Sequence, residues 1–223
     1  MIRKVLIIGA GQFGRALALG LVEGGADVSV LDPREDRIAA VSSAVSQAII
    51  GSGTDERVLR GLDIETFDQV VNAIGEESLE SSIVCTQLLR EFGAREVIAR
   101  VVSDLHKRIV ESLGVTRTVH PEEDAAKGLA RRIVRPELRS ELELAEGARF
   151  LELDLPEKWI GKTLQDIDLR KRHGVSVVAV RRGSEGGRRL VSSPSPEDAF
   201  LRGDELMIVG PKDSVDRVLK ELG

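Results

Sequence analysis

The sequence contains no tyrosine, one cysteine and three histidines in 223 residues. The missing tyrosine excludes a Tyr-x-x-x-Lys proton donor. The single thiol, Cys85, excludes an intramolecular disulfide and fits a reducing cytoplasm; it lies in an apolar helical stretch that reads as core. No run reaches the roughly 18 consecutive apolar residues of a membrane-spanning helix, and the chain opens as a strand from Ile2 rather than in the shape of a signal peptide. An excess of positive charge is missing as well. The formal net charge is −5, which argues against a nucleic-acid binder with a broad basic face. What is present is enough apolar sequence for a substantial core, many charges of both signs, and length for one or two domains.

The chain is organised around Val5–Gly14, VLIIGAGQFG. Val5, Leu6, Ile7 and Ile8 form a run long enough for a strand buried on both faces. Gly9-Ala10-Gly11-Gln12-Phe13-Gly14 follows as G-x-G-x-x-G, and a helical pattern runs on to the Glu23-Gly24-Gly25 stop. Gly9 allows the tight turn, Gly11 lets a pyrophosphate approach the backbone, and Gly14 lets helix and strand pack closely. Free N–H groups at the helix start then hold the phosphate. A tight βα turn with no ligand is the other reading of the same glycines. The next apolar run, Val28–Leu31, ends at Asp32, near the spacing of about 20 residues at which a carboxylate meets ribose hydroxyls. Asp32-Pro33 is also a turn signal. An acid there disfavours a 2′-phosphate and hence NADP. Pro33 and Arg34 complete that loop and are counted with the site.

Downstream, helices and strands alternate. A helix is predicted over Arg34–Ser43 and a strand over Ser46–Ile50. The Gly51–Asp55 turn comes next, with Thr54 or Asp55 capping a helix through Leu59. A strand over Asp68–Ala73 precedes a helix over Glu76–Phe92. Strand Glu96–Val101, helix Ser103–Leu113 and strand Val115–Val119 complete the series. This is a doubly wound, six-stranded parallel sheet of Rossmann type, with its switch point above the first strand. The strand ends there bring together Gly9–Gly14, Asp32, the Gly51–Asp55 turn with Gly53, Thr54 and Asp55, Ala73-Ile74-Gly75, and Arg100. Gly75 reads either as the small residue beneath an adenine or ribose or as a plain turn glycine. Arg100 reads either as a phosphate fork or as a surface ion pair.

His120-Pro121-Glu122-Glu123-Asp124 opens a further helix to about Arg139, its acids matched to the helix dipole. Leu129, Ile133 and Val134 stripe it, to pack on its own domain or cross to another subunit. From Leu142 the pattern changes. Phe150–Leu155 alternates as a half-buried strand, a short helix carries Ile167 and Leu169, and Val175–Val180 is a strand. Arg181–Arg189 is a Gly-rich hairpin tip before a short Leu190-Val191 strand. Glu205–Val209 and a closing helix over Ser214–Leu222 finish a small α+β domain. The boundary falls around Arg139–Glu146, where no strand is evident, giving domains 1–140 and 141–223.

The whole layout resembles the RCK (KTN, TrkA-type) regulatory subunits of Ktr/Trk potassium-uptake systems. The N-terminal marks are GAGQFG with Asp32, GSGTD, NAIG and HPEED; the C-terminal marks are IGKTLQDIDLRKRHGVSVVAVRR and FLRGDELMIVG. The resemblance implies a Rossmann domain joined to a small RCK C-terminal domain, in a cytoplasmic homo-oligomer, an octameric ring. That ring gates an integral-membrane potassium-translocating partner, with no nucleic acid involved. It further implies that ATP, ADP, NAD or NADH binds the Rossmann half. Gly9, Gly11 and Gly14 then hold phosphates, Asp32 the ribose, and Asp55 and Arg100 line the cleft. Glu122 stands near the terminal phosphates, through Mg2+ or another divalent cation and across a subunit interface. ATP-responsive members carry an arginine at the position of Gln12, and the neutral amide removes that counter-charge. Some members bind cyclic di-AMP in the C-terminal domain, where Leu169-Arg170-Lys171-Arg172-His173 serves the phosphates or is simply a solvated basic strand entry. Gating of this kind needs differential affinity and no reaction.

The rival function is an NAD-dependent oxidoreductase, which the glycines and Asp32 fit equally. Against it, His106, His120 and His173 are not placed with an acid and an open pocket, and the second domain is small for a substrate domain. A redox-sensing transcription regulator lacks a segment for a basic recognition helix.

Overall fold

The computed structural model describes residues 2–75, 78–144, 147–184 and 187–222. The chain divides into two compact units, Met1–Ala125 and Ala126–Gly223. In the first, strands and helices alternate: β1 (Lys4–Ile8), α1 (Gln12–Glu23), β2 (Asp27–Asp32), α2 (Glu35–Ala39), β3 (Gln47–Ile50), α3 (Glu56–Arg60), β4 (Gln69–Asn72), α4 (Leu79–Glu91), β5 (Val97–Arg100), α5 (Asp104–Ser112) and β6 (Arg117–Val119). The six strands are parallel in the order β3-β2-β1-β4-β5-β6. This is the Rossmann-type sheet that the alternation predicts, and the strand order reverses between β1 and β4. The continuous apolar run of β1 has the expected cause. Val5 and Ile7 pack with Ala18, Val30 and Ile38 on one face, while Leu6 and Ile8 pack with Leu59, Cys85 and Leu89 on the other. The predicted helix over Glu76–Phe92 begins at Leu79, and residues 76 and 77 lie outside the described residues.

One buried polar group ties this core to the strand ends. Asn72, fully buried at the end of β4, donates its amide to Ser82 O at 2.8 Å and Thr86 Oγ1 at 2.9 Å on α4. Its carbonyl oxygen accepts the Ile74 N–H at 3.2 Å. Asn72 thereby fixes the Ala73-Ile74-Gly75 loop against α4. Asn72→Ala leaves these partners buried and unserved, so we expect a loss of about 2 kcal/mol of unfolding free energy, read as a lowered urea midpoint at unchanged slope.

Helix α6 (Pro121–Val134) spans the division between the units. It carries Glu122, Glu123 and Asp124 in its first turn and Arg131 and Arg132 in its last, as the helix dipole favours. The predicted extension to Arg139 does not form. The helix stops before Pro136, and residues 138–143 are a strand, β7 (Leu138–Glu143), where the sequence reading finds none. A register shift between Leu138 and Ser140 breaks the alternation that would have revealed it.

The second unit continues with β8 (Ala148–Asp154), α7 (Leu164–Ile167), α8 (Leu169–His173), β9 (Ser176–Ser184), β10 (Gly187–Ser192), β11 (Glu205–Pro211) and α9 (Lys212–Leu222). Its antiparallel sheet has the order β10-β9-β11-β8-β7. Leu151, Leu153, Leu206 and Ile208 pack with Val215 and Val218 of α9, Trp159 and Phe200. The hairpin is longer than predicted: β9 continues to Ser184 and β10 starts at Gly187, while residues 185 and 186 of the tip lie outside the described residues. Charge pairing explains how arginines serve as strand there. Glu205, 2% exposed, lies 3.0 Å from Arg139, 2.9 Å from Arg181 and 2.8 Å from Arg188.

Candidate functional site

The crevice of about 780 Å³ opens above the strand ends of the first unit. Its floor is the turn between β1 and α1. Gly9 has φ +101°, and a Cβ on it would lie 3.0 Å from the carbonyl carbon of Ala73; only glycine holds that conformation at that distance. A Cβ on Gly14 would come 1.9 Å from the Gly9 carbonyl oxygen, so helix and turn touch through their backbones. Gly11 is the N-cap of α1 and brings no side-chain cap, and the first turn carries no acid. The first-turn N–H groups, with the positive end of the helix dipole, are therefore left to serve an anion.

Asp32 closes one side. Its side chain is 2% exposed. Oδ2 accepts the Ala10 N–H at 2.7 Å and Oδ1 the Arg34 N–H at 2.9 Å, while Arg37 Nη1 lies 3.6 Å from Oδ2. The carboxylate is thus a strut between the glycine turn and the loop after β2. Each oxygen keeps a second lone pair for a hydroxyl donor.

The opposite wall carries Arg100, at the end of β5. Its guanidinium forms an ion pair with Glu122, in the first turn of α6, and lies over the Phe13 ring at 5.8 Å from the centroid. A Cβ on Gly75 would come within 2.6 Å of Arg100 Nη1, so Gly75 makes room for this guanidinium. His120 Nδ1 is 3.9 Å from the second Glu122 oxygen. Among the described residues no group of three or more His, Cys, Asp or Glu side chains is placed to hold a metal ion. One carboxylate engaged with a guanidinium does not fit a resident cation.

Residues 5–121 match the TrkA-N domain family and residues 149–223 the TrkA-C domain family. The chain is 33% identical to the "Ktr system potassium uptake protein C" of Bacillus subtilis (strain 168), over 100% of this chain and 98% of that protein. The chain belongs to the Ktr/Trk family of potassium-uptake proteins. A second relative, the "Ktr system potassium uptake protein A" of Vibrio alginolyticus, is 30% identical over 99% of this chain and 98% of its own. Among solved structures, the "GsuK channel bound to NAD" superposes with a TM-score of 0.64 at 19% identity, over 100% of this chain and 40% of that one. That likeness shows the fold.

In this Ktr/Trk chain the crevice is lined by Gly9, Ala10, Gly11, Gln12 and Phe13, by Asp32 and Pro33, by Gly53 and Thr54, by Ala73, Ile74 and Gly75, and by Arg100 and Glu122. Three residues counted with the site do not line it. Gly14 packs beneath the turn. Arg34 pairs with Asp36 at 2.9 Å. Asp55 caps α3, accepting the Arg57 N–H at 2.9 Å, and the Arg57 guanidinium holds its carboxyl below the usual carboxylate range. The sequence reading missed Arg15, Asp36, Arg37, Ser78 and Ser81, which also line the crevice, while Ser52 lines it as part of the Gly51–Asp55 turn. Ser78 had a signal, as the N-cap of α4; Arg15 and Arg37 sit in helical stretches where charge reads as a solvated face.

None of the three histidines lines the crevice. His106 is buried in α5, and burial pushes its pKa below the ordinary histidine value. His120 precedes α6, and His173 pairs with Glu221 at 2.9 Å. Cys85 packs behind Gly53, its thiol pushed up to about 12 by burial. The basic cluster after Leu169 forms α8, a helix rather than a strand entry. There Arg172 meets Glu221 at 3.0 Å and Lys171 meets Asp168 at 3.7 Å.

Proposed function

We propose that this protein is the nucleotide-binding regulatory subunit of a potassium-uptake system, in which an adenine nucleotide (NAD, NADH, ADP or ATP) shifts the shape of a homo-oligomer that gates a membrane potassium-translocating partner. The observation that carries the reading is the crevice at the sheet's switch point, with an uncapped helix N-terminus on its floor and the Asp32 carboxylate at its side. The nucleotide class is supported by similar structures, the GsuK channel bound to NAD and, in another crystal, to ADP. The site is read as residues 9–14, 32–34, 53–55, 73–75, 100 and 122, within a domain 1–140; residues 141–223 form the regulatory domain. No divalent cation is included, because Glu122 is engaged by Arg100. Cyclic di-AMP at α8 is the less supported ligand, since two of its cations, Lys171 and Arg172, are paired within the unit.

Binding without turnover is part of the reading. Among the described residues the ionisable groups lining the crevice are carboxylates and guanidinium groups, with no histidine or cysteine to move a proton. Assembly is supported by α6, which has no buried residue and leaves Ile133 71% and Val134 76% exposed. A second copy covering that stripe gives a dimer as the unit of an octameric ring. The proposed location is the cytoplasmic face of the membrane, through the partner; no helix among the described residues is long and apolar enough to cross a bilayer.

The test is a thermal-shift panel of ATP, ADP, NAD, NADH and cyclic di-AMP with light scattering. A ligand at about 100 times its Kd should stabilise the protein by about 2.7 kcal/mol, and the protein should scatter as a dimer or larger. A monomer that ignores every adenine nucleotide refutes the proposal. Steady NADH oxidation with a small metabolite would establish the oxidoreductase instead.

A further inference from the structure

Three guanidinium-bearing residues line the crevice: Arg15, Arg37 and Arg100. Arg37 is 3.6 Å from the buried Asp32, and Arg100 is engaged by Glu122. Arg15 makes no ion pair with any described residue, and it is exposed. It sits in the first turn of α1, its N–H bonded to Gly11 O at 2.9 Å, three residues after the neutral Gln12. Residues i and i+3 share a helix face. Helical side chains also lean toward the N-terminus, so a residue covers the turn before its own. Arg15 therefore projects along the crevice over the same N–H groups that face an anion.

We infer that Arg15 reads the length of the ligand's phosphate chain. This rests on the nucleotide reading of the crevice and goes beyond it. The helix N-terminus supplies partial charge to the first two phosphates, which ADP, ATP and NAD all possess. A terminal phosphate carries further charge that partial dipoles and the Gln12 amide do not neutralise. Among the described residues, the one full positive charge lining the crevice and not already matched by a carboxylate is on Arg15, and its planar fork suits phosphate oxygens. Arg100 has only shared charge to offer, because a phosphate must compete with Glu122 for it.

The experiment is calorimetry of ATP, ADP and NAD with the full-length protein, with Arg15→Gln, and with the double variant Arg15→Gln/Gln12→Arg. Arg15 is exposed, so its replacement leaves the fold intact. Arg15→Gln should weaken ATP about tenfold or more, the scale of one charge-assisted hydrogen bond, ADP less, and NAD least. The double variant, with the charge returned to the same helix face, should recover most of the ATP affinity. Equal weakening of all three ligands, no weakening at all, or a double variant no better than the single one overturns the inference while leaving the nucleotide site standing. If the unaltered protein binds none of the three, the nucleotide reading falls and takes this inference with it.

Discussion

Asp32→Ala should weaken adenine-nucleotide binding by at least about a hundredfold, because one substitution removes two things at once. The first is an acceptor pair for ribose hydroxyls. The second is the strut itself: the carboxylate holds the Ala10 and Arg34 N–H groups from the inside of the crevice wall, at 2.7 and 2.9 Å. Hydrogen bonds to a charged group contribute about 1.5–3 kcal/mol each, so the alanine variant should also lose about 3 kcal/mol of stability. Arg37, 3.6 Å from Asp32 Oδ2, would at the same time lose its neighbouring negative charge. Asp32→Asn separates the roles. Its carbonyl oxygen still accepts one backbone N–H, so unfolding free energy should recover in part while the second acceptor stays lost and affinity remains low. Calorimetry of ADP or NAD beside urea unfolding reads both. Full affinity in Asp32→Ala would remove the ribose assignment, and unchanged stability would remove the strut.

That double role marks where the sequence is transparent and where it is not. The β1–glycine–α1 corner is legible because its causes are local: an apolar run, glycines at fixed offsets, then a helical period. Asp32 is legible as an acid at the end of a strand. Its bond to Ala10, 22 residues away, exists only once β1 and β2 lie side by side. Arg100 and Glu122 are each visible as candidates, but their pairing depends on β5 and the start of α6 converging on the crevice. The sequence reading gives a surface ion pair as one alternative for Arg100; the pair forms on the crevice wall, with the Arg100 side chain 14% exposed. Gly75, read either as room for a base or sugar or as a plain turn glycine, lines the crevice and also makes room for that guanidinium. In the second unit β7 stays hidden because an edge strand is built from Arg139, Ser140, Glu141 and Glu143, residues of the kind that keep such an edge from pairing with other chains.

Gly14 separates fold from function most sharply. A Cβ at Gly14 would sit 1.9 Å from the Gly9 carbonyl oxygen, and the clashing atom is backbone of a turn already pinned by the Gly9 N–H bond to Leu31 O at 2.8 Å. Neither side can swing away, so Gly14→Ala must push α1 off β1. Overpacking of this kind costs about 3 kcal/mol where nothing yields, and the shift carries the first-turn N–H groups with it, so binding should vanish together with stability. Two other glycines near the same corner calibrate the result. A Cβ on Gly20, further along α1, meets nothing within 4 Å; Gly20→Ala should stabilise the helix by about 0.5–1 kcal/mol and leave binding alone. A Cβ on Gly11 also meets no protein atom, but it enters the crevice where the anion is expected to sit. Gly11→Ala should therefore change stability by less than about 1 kcal/mol while reducing nucleotide affinity at least about tenfold. Thermal unfolding with and without ADP reads all three variants. If Gly11→Ala binds as the unaltered protein does, the phosphates do not rest on this turn; if Gly14→Ala is as stable as its parent, the contact between helix and turn is not what closes the corner.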